Sequence, residues 1–221
     1  APFGISPIGG PGTAFPGAET FLAKAAQAAR IPYTIGVLSA ITIEQAVTLA
    51  PDVLWLQLYR FAQDDHRIGL DLVQRAAASG VQALVLTWDT PVRTTRPREV
   101  KSGIVNPFRL TNRLGLDAMT SPPWLLSMLR NGIPRFVSLR PYMDGKTSFA
   151  DAAAFMRREA GGAFTWDEIA RYRDAWQGPL LLKGVLHPAD AERAVSLGVD
   201  GLHVTNHGGR QIEALPASID A

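Results

Sequence analysis

The feature of this sequence that most constrains the fold is a repeated alternation of short apolar runs with longer amphipathic segments. Nearly continuous apolar runs are typical of buried parallel strands. They lie at 33–37, 53–59, 83–89, 179–183 and 201–205. Apolar residues at helical spacing between these runs predict helices. These helices are expected over 19–30, 42–49, 64–78, 165–176 and 188–197. The alternation favours a parallel sheet with right-handed crossovers.

Polar residues collect at the carboxyl ends of four of the predicted strands. They are Gln57 and Tyr59, Thr87 and Asp89, Lys183, and Thr205 with His207. In a β/α barrel all of these ends meet at one rim, where catalytic residues lie. A doubly wound sheet binds ligands only at a switch point. We therefore predict an α/β fold of the TIM (β/α)8 barrel type, with about six of the eight units in a single domain over 1–221.

The ends of the predicted helices carry their own signals. Thr42 and Thr165 are predicted N-caps, and Asp64 or Asp65 is predicted to cap the helix that ends before Gly80. Between residues 92 and 163 the alternation stops, and only a short helix over 124–130 is predicted. A stretch of this length with little regular structure is typical of a lid or binding loop, or of a disordered segment.

Composition excludes several classes of function. The chain has no cysteine, which excludes disulfides, thiolate catalysis and cysteine-bound metals. A formal net charge of +2 with scattered basic residues gives no support to a nucleic-acid partner. Walker A and GxGxxG motifs are absent, so nucleotide binding by those common modes is unsupported. HExxH and Cys/His metal spacings are absent too, and we expect no metal site of a common kind. No apolar run reaches the ~18 residues of a membrane span, and we expect a soluble, cytoplasmic protein.

The sharpest chemical signal is the loop Asn206-His207-Gly208-Gly209-Arg210 that follows the last predicted strand. A histidine can exchange a proton near neutral pH, and an arginine can bind a carboxylate through two parallel hydrogen bonds. The glycines let the backbone approach a ligand closely. The loop therefore predicts a site for a small acid, although most single histidines are structural or lie at the surface.

Two charged residues end buried strands, and each has two interpretations. Asp89 needs a partner, for which a histidinium is suitable, or it caps the turn that follows. Lys183 is a fixed cation beside an anionic cofactor, or it extends from the strand to solvent. His203 lies inside a strand, and the alternation of side chains points it away from the side of Leu202 and Val204.

Five short motifs occur together in one order along the chain. They are Gln57-Leu58-Tyr59, Leu86-Thr87-Trp88-Asp89-Thr90-Pro91, Phe164-Thr165-Trp166, Leu182-Lys183-Gly184-Val185 and Thr205-Asn206-His207-Gly208-Gly209-Arg210-Gln211. Together they resemble the FMN-dependent 2-hydroxy acid oxidases and dehydrogenases, whose substrates are of the lactate, glycolate or mandelate class. The resemblance implies a TIM barrel that holds FMN at the carboxyl ends of the strands and oxidises an L-2-hydroxy acid to the 2-keto acid.

The resemblance also implies roles for individual residues. His207 corresponds to the catalytic base, Asp89 to its partner, and Tyr59 to the residue hydrogen-bonded to substrate. The carboxylate is bound by Arg210 and Arg96. The positions that correspond to flavin contacts are Pro2, Phe3, Gly4, Gln57, Thr87, Lys183 and Thr205. Lys183 would favour the anionic reduced flavin. Gly36 departs from the pattern, because the family usually has a hydroxyl side chain there.

The resemblance further implies a homo-oligomer, a tetramer in this family, and an electron acceptor that is oxygen, a quinone or a cytochrome. It leaves open a membrane-facing or partner-binding segment over 92–163, which would make the protein peripheral to the inner face of the membrane. An N-terminal segment of the family and its last two β/α units are expected to lie outside these 221 residues. Two alternatives stay open: a non-redox FMN barrel of the type 2 isopentenyl diphosphate isomerase kind, and a non-catalytic, truncated barrel.

Overall fold

A five-stranded, wholly parallel sheet forms the centre of the computed structural model, which describes residues 3–92, 94, 101, 112–145 and 148–221. Its strands are β1 (Tyr33–Gly36), β2 (Leu54–Leu58), β3 (Ala83–Thr87), β4 (Leu180–Val185) and β5 (Gly201–Val204). They lie side by side in sequence order. This order fits a barrel and has no switch point, which a doubly wound sheet needs. Ile5 adds a one-residue parallel bridge to Tyr33, outside the five strands.

The two faces of the sheet differ chemically. Residues paired across parallel strands place their side chains on the same face. One face is apolar and packs into the main core, with Ile35, Leu56, Leu84, Leu182 and their neighbours. Register places the polar side chains on the other face. These are Thr34, Gln57, Thr87, Lys183 and His203. The site is built on this second face.

Helices that follow the predicted pattern cover the apolar face. They are α2 (Ala18–Ala29), α3 (Ile43–Leu49), α4 (Gln63–Ser79), α8 (Trp166–Ala175) and α9 (Pro188–Ser196), and a short α1 (Pro11–Ala14) precedes them. Thr42 and Thr165 each form a capping box with the residue three positions on, as predicted. Such a cap stabilises a helix by about 1 kcal/mol.

The predicted cap of α4 is wrong. The helix begins with Ala62 as its N-cap, and Asp64 and Asp65 have left-handed φ angles of 48° and 54°. Asp65 instead accepts two hydrogen bonds from the guanidinium of Arg171, one of them at 2.8 Å. The carboxylate that the sequence predicts as a helix cap is therefore used in an ion pair with Arg171, which lies on a distant helix.

More helix lies between β3 and β4 than the sequence predicts. The described residues there contain α5 (Asn112–Met119), α6 (Pro122–Asn131), a 3₁₀ helix (Val137–Tyr142) and α7 (Phe149–Glu159). The predicted helix over 124–130 lies within α6. The far end of this segment returns to β2, because Phe61 and Ala160 form an antiparallel bridge. None of the described helices is both long and apolar enough to cross a membrane.

Candidate active site

Three charged or titratable side chains meet at the carboxyl ends of β3, β4 and β5. The Nδ1 atom of His207 lies 2.9 Å and 3.0 Å from the two carboxylate oxygens of Asp89. The Nζ atom of Lys183 lies 3.1 Å from the same Nδ1 and 3.6 Å from Oδ2 of Asp89. The side chain of Asp89 is 4% exposed, that of Lys183 7% and that of His207 17%. The geometry thus brings together three of the predicted site residues.

The arrangement determines which nitrogen of His207 can act as a base. A carboxylate only accepts hydrogen bonds, so the contact between Asp89 and Nδ1 requires a proton on Nδ1. The neutral ring then carries its lone pair on Nε2. The ammonium of Lys183 competes for Nδ1 as a donor, and that contact would favour the opposite tautomer. Both oxygens of Asp89 lie closer to Nδ1 than Lys183 does, so the geometry favours the Nε2 lone pair.

Lys183 is a buried cation. Burial lowers its pKa, while the charge of Asp89 and a hydrogen bond to that carboxylate oppose the shift. A buried ammonium is strongly destabilised unless an anion lies nearby. Asp89 supplies one negative charge to two cationic or protonatable neighbours, so this pocket favours a further anion.

Asp89 is held close to β4 by a glycine. Gly184 has a φ of 105°, and a Cβ atom at that position would lie 2.4 Å from Cβ of Asp89 and 2.8 Å from its backbone nitrogen. Trp88 precedes Asp89 and packs edge-to-face on Trp166, with 4.4 Å between ring centroids. The end of β3 is therefore fixed from both sides, and only glycine fits at position 184.

The loop after β5 holds His207 in a strained conformation. His207, Gly208 and Gly209 have φ angles of 60°, 64° and 69°. The backbone nitrogen of His207 donates to Oγ1 of Thr205 at 3.1 Å. The side chain of Asn206 accepts from the nitrogen of Gly209 and donates to the carbonyl of Pro216. A left-handed φ at a histidine is uncommon, and it persists only where the surroundings determine it.

A second pair of predicted site residues lies on the same face of the sheet. The side-chain amide of Gln57 donates to the hydroxyl of Thr87 at 2.7 Å, and both side chains are buried. Gly36 lies beside them, and a Cβ atom there would lie 3.1 Å from Oε1 of Gln57. The missing hydroxyl at position 36 thus coincides with space that the glutamine amide occupies.

The other predicted site residues that the structure describes are Phe3, Gly4, Tyr59 and Arg210. Phe3 is 65% exposed near the start of the chain, beside Gly4. Tyr59 follows β2 and packs half-buried against the core. Arg210 is exposed, and its carbonyl accepts from the hydroxyl of Thr94 at 3.0 Å. Two predictions, Pro2 and Arg96, lie outside the described residues.

A charged network beside Tyr59 is not predicted by the sequence. Arg60 donates to both carboxylate oxygens of Glu168 at 2.8 and 2.7 Å. His66 lies 2.9 Å from Glu168, and its other ring nitrogen lies 3.4 Å from the hydroxyl of the buried Tyr172. The partners are more than 100 positions apart in the chain. Only the fold brings them together.

Comparison with known proteins identifies the family. The model of the FMN-dependent dehydrogenases matches residues 1–221. The chain is 33% identical to an L-lactate dehydrogenase of Pseudomonas syringae pv. syringae, over 100% of this chain and 57% of that protein. It is 35% identical to an L-lactate dehydrogenase of Ectopseudomonas mendocina, over 100% of this chain and 59% of that protein.

Solved structures give the same result. The structure of a monotopic membrane protein, (S)-mandelate dehydrogenase, matches with a TM-score of 0.88 and 31% identity, over 98% of this chain and 57% of that chain. A mandelate oxidase matches with a TM-score of 0.72 and 30% identity, over 99% of this chain and 53% of that chain. The chain thus spans rather more than half the length of these relatives, and the predicted barrel fold is confirmed. This chain belongs to the FMN-dependent dehydrogenase family.

Proposed function

We propose that the protein oxidises an L-2-hydroxy acid to the 2-keto acid with FMN as its cofactor. The observation that carries the proposal is the contact of His207 with Asp89 beside the buried Lys183. A base, its carboxylate partner and a cation lie at one rim of a parallel sheet, in a chain of the FMN-dependent dehydrogenase family. The relatives named above are lactate and mandelate dehydrogenases and a mandelate oxidase.

The residues on the polar face fit a flavin. An amide, a hydroxyl and an ammonium (Gln57, Thr87 and Lys183) lie on neighbouring strands of one face. This donor set matches the polar edge of an isoalloxazine ring, which presents carbonyl oxygens and ring nitrogens. The excess of cationic and protonatable groups around Asp89 suits negative charge on that ring. When bound, FMN supplies the acceptor for the two electrons that leave the substrate.

The proton transfer is assigned to His207. Its Nε2 atom takes the proton that leaves the substrate, and the resulting imidazolium is stabilised by Asp89 through Nδ1. Arg210 and Arg96 are assigned to the substrate carboxylate, and Tyr59 to a hydrogen bond with the substrate. A bidentate clamp of this kind fixes the α-carbon before the reaction and removes most of the entropic cost of orientation.

The electron acceptor and the assembly belong to the same proposal. Oxygen, a quinone or a cytochrome would reoxidise the cofactor, and the whole protein would act as a homo-oligomer, with a tetramer the expected form. Lactate and mandelate are the first substrates to test, because the relatives named above carry those names. The matches give no support to a non-redox isomerase or a non-catalytic barrel.

We also propose a peripheral attachment to the inner face of the membrane through α5 and α6. The polar side of α6 is anchored to the protein, since Ser127 donates to the carbonyl of Pro16 at 2.6 Å. Its opposite side is apolar and exposed. The exposed apolar residues of the two helices and the turn after them are Leu116, Met119, Leu126, Leu129 and Ile133. Arg130 and Arg135 are exposed beside them and suit an anionic lipid surface.

The activity is tested by mixing the FMN-loaded protein with single 2-hydroxy acids without oxygen. We expect bleaching of the flavin absorbance by at least one acid of the lactate or mandelate class. His207→Gln should retain FMN and lose at least about a hundredfold in the rate of bleaching, as removal of a general base does. His187→Asn is the matched control, because His187 is an exposed helix cap. Bleaching by no acid, or at the normal rate in His207→Gln, would refute the proposal.

A further inference from the structure

A histidine lies within β5, on the polar face of the sheet. Strand interiors favour β-branched and aromatic residues. Histidine is not among the residues most enriched in strands, and His203 is half-buried within Gly201–Val204. A buried polar ring costs stability unless a neighbour interacts with it. The side chains around His203 therefore determine whether its ring is stabilised and what it can influence.

Register places His203 in the same row as two predicted flavin-contacting residues. Thr87 pairs with Lys183, and Lys183 pairs with His203. Paired residues on parallel strands point to the same side, so the three side chains lie next to one another across β3, β4 and β5. Leu202 belongs to the opposite, apolar face. His203 is thus a neighbour of the active site and not a part of the hydrophobic core.

Among the residues that the structure describes, the charged and titratable groups that act on His203 come from three places in the fold. They are Lys183 on β4, Asp89 after β3 and His207 after β5. Burial lowers the pKa of His203, and the charges of Lys183 and His207 lower it further, while Asp89 opposes them. His203 is therefore neutral near pH 7, and its protonation in acid adds charge beside a lysine that is already buried.

We infer that His203 tunes the charge of the cofactor-facing side of the sheet, because a proton taken up by His203 places a second positive charge in the row of Thr87 and Lys183. This inference rests on the proposed function, since that row faces the cofactor only if the protein binds FMN. A second positive charge favours the anionic, reduced form of FMN. The reduced form should therefore gain an additional stabilisation as His203 becomes protonated.

The expected size follows from the interaction between unit charges. A charge about 10 Å away, at an effective dielectric constant of about 20, shifts an equilibrium roughly tenfold. The ratio of reduced to oxidised FMN, measured against a reference dye of known potential, should thus rise roughly tenfold more with His203 than without it, between pH 8 and a pH low enough to protonate His203. The dye measurement reduces FMN chemically and needs no hydroxy acid.

The test compares the FMN-loaded protein with two variants. His203→Gln keeps a polar side chain without a proton to exchange, and His203→Val is the usual choice for a strand. Both should match the unmodified protein at pH 8 and lose the additional rise at lower pH. His187→Asn, which removes an exposed histidine of the helix cap at α9, should keep it. An equal rise in His203→Gln and in the unmodified protein would overturn the inference.

A second measurement does not depend on the cofactor. The pH titration of the His203 ring by NMR should move to higher pH in Lys183→Met, because the cation that opposes its protonation is removed. An unchanged titration would also overturn the inference. The proposed function would be refuted by a different result, namely that no 2-hydroxy acid bleaches the flavin. The dye and NMR measurements on His203 need no hydroxy acid and could still be interpreted in that case.

Discussion

Glu168→Gln should destabilise the protein by removing the anion that joins the loop after β2 to α8. Glu168 accepts two hydrogen bonds from Arg60 and contacts His66 at 2.9 Å. The glutamine can still cap the helix through its single oxygen, so the change removes the charge and one acceptor while the shape stays the same. Arg60 would keep one hydrogen bond to residue 168 and its bond to the carbonyl of Gly161, and would lose its bidentate contact.

The magnitude can be worked from the pKa of Glu168. The hydrogen bonds from Arg60, opposed by burial, lower this pKa to about 2, from an ordinary value of 4.5. A gap of about 2.5 pH units corresponds to about 3.4 kcal/mol of stability. Screening by solvent at the partly exposed edge of the carboxylate reduces this to about 2 kcal/mol. A lowered pKa stabilises the fold above about pH 4.5, and the contribution is lost as the pH falls from there towards 2.

Urea denaturation at a series of pH values measures the effect. The free energy of unfolding of Glu168→Gln should be about 2 kcal/mol lower than that of the unmodified protein at pH 7, and the difference should narrow below pH 4.5. Asp167→Asn is the matched control, because Asp167 is the exposed neighbour in the first turn of α8. Its loss should stay near 0.5 kcal/mol. Equal losses in the two variants, or a difference that stays constant down to pH 3, would refute the reasoning.

Two further predictions concern the site and the exposed helices. Gly184→Ala should slow the proposed flavin reduction by about a hundredfold, because its Cβ would displace the carboxylate of Asp89 that pairs with His207, the proposed base. Gly80→Ala is the control, because Gly80 has a similar φ with open space around it; it should lower stability and leave the rate unchanged. Equal rates in the two variants would show that displacing Asp89 is unimportant. The double variant Leu126→Ser, Leu129→Ser should stop the protein from sedimenting with vesicles of anionic lipid, whereas Val195→Ser, an exposed position on α9, should sediment normally. Undiminished sedimentation of the double variant would exclude this surface.

Much of the fold could be predicted because local sequence agrees with it. The five strands and the caps at Thr42 and Thr165 follow from apolar runs and from side chains that bond within three residues. The helices between β3 and β4 could not be predicted in the same way. Apolar residues such as Leu116 and Leu129 face solvent there. Their spacing along the chain therefore does not indicate which side of a helix packs against the core.

The contacts of the site likewise include some that the sequence predicts and some that only the fold creates. His207 and Asp89 are predictable as partners, because a histidine loop and a buried aspartate both follow strands. The contact of Lys183 with the same ring nitrogen depends on how closely β4 approaches, and Gly184 determines that approach. Arg60 and Glu168 are more than 100 positions apart, and no local pattern relates them.

The pairing of β3 with β4 has a consequence for how this protein can change over evolution. The long segment between the two strands leaves the carboxyl end of β3 and returns to the amino end of β4, because the strands are parallel and Leu84 pairs with Leu180. Its closure cost grows only with the logarithm of its length, by about 0.6 kcal/mol for each doubling. Insertions in the middle of this segment, away from Asp89, would barely alter the contact of His207 with Asp89. Selection could therefore change the proposed membrane attachment while this contact stays constant.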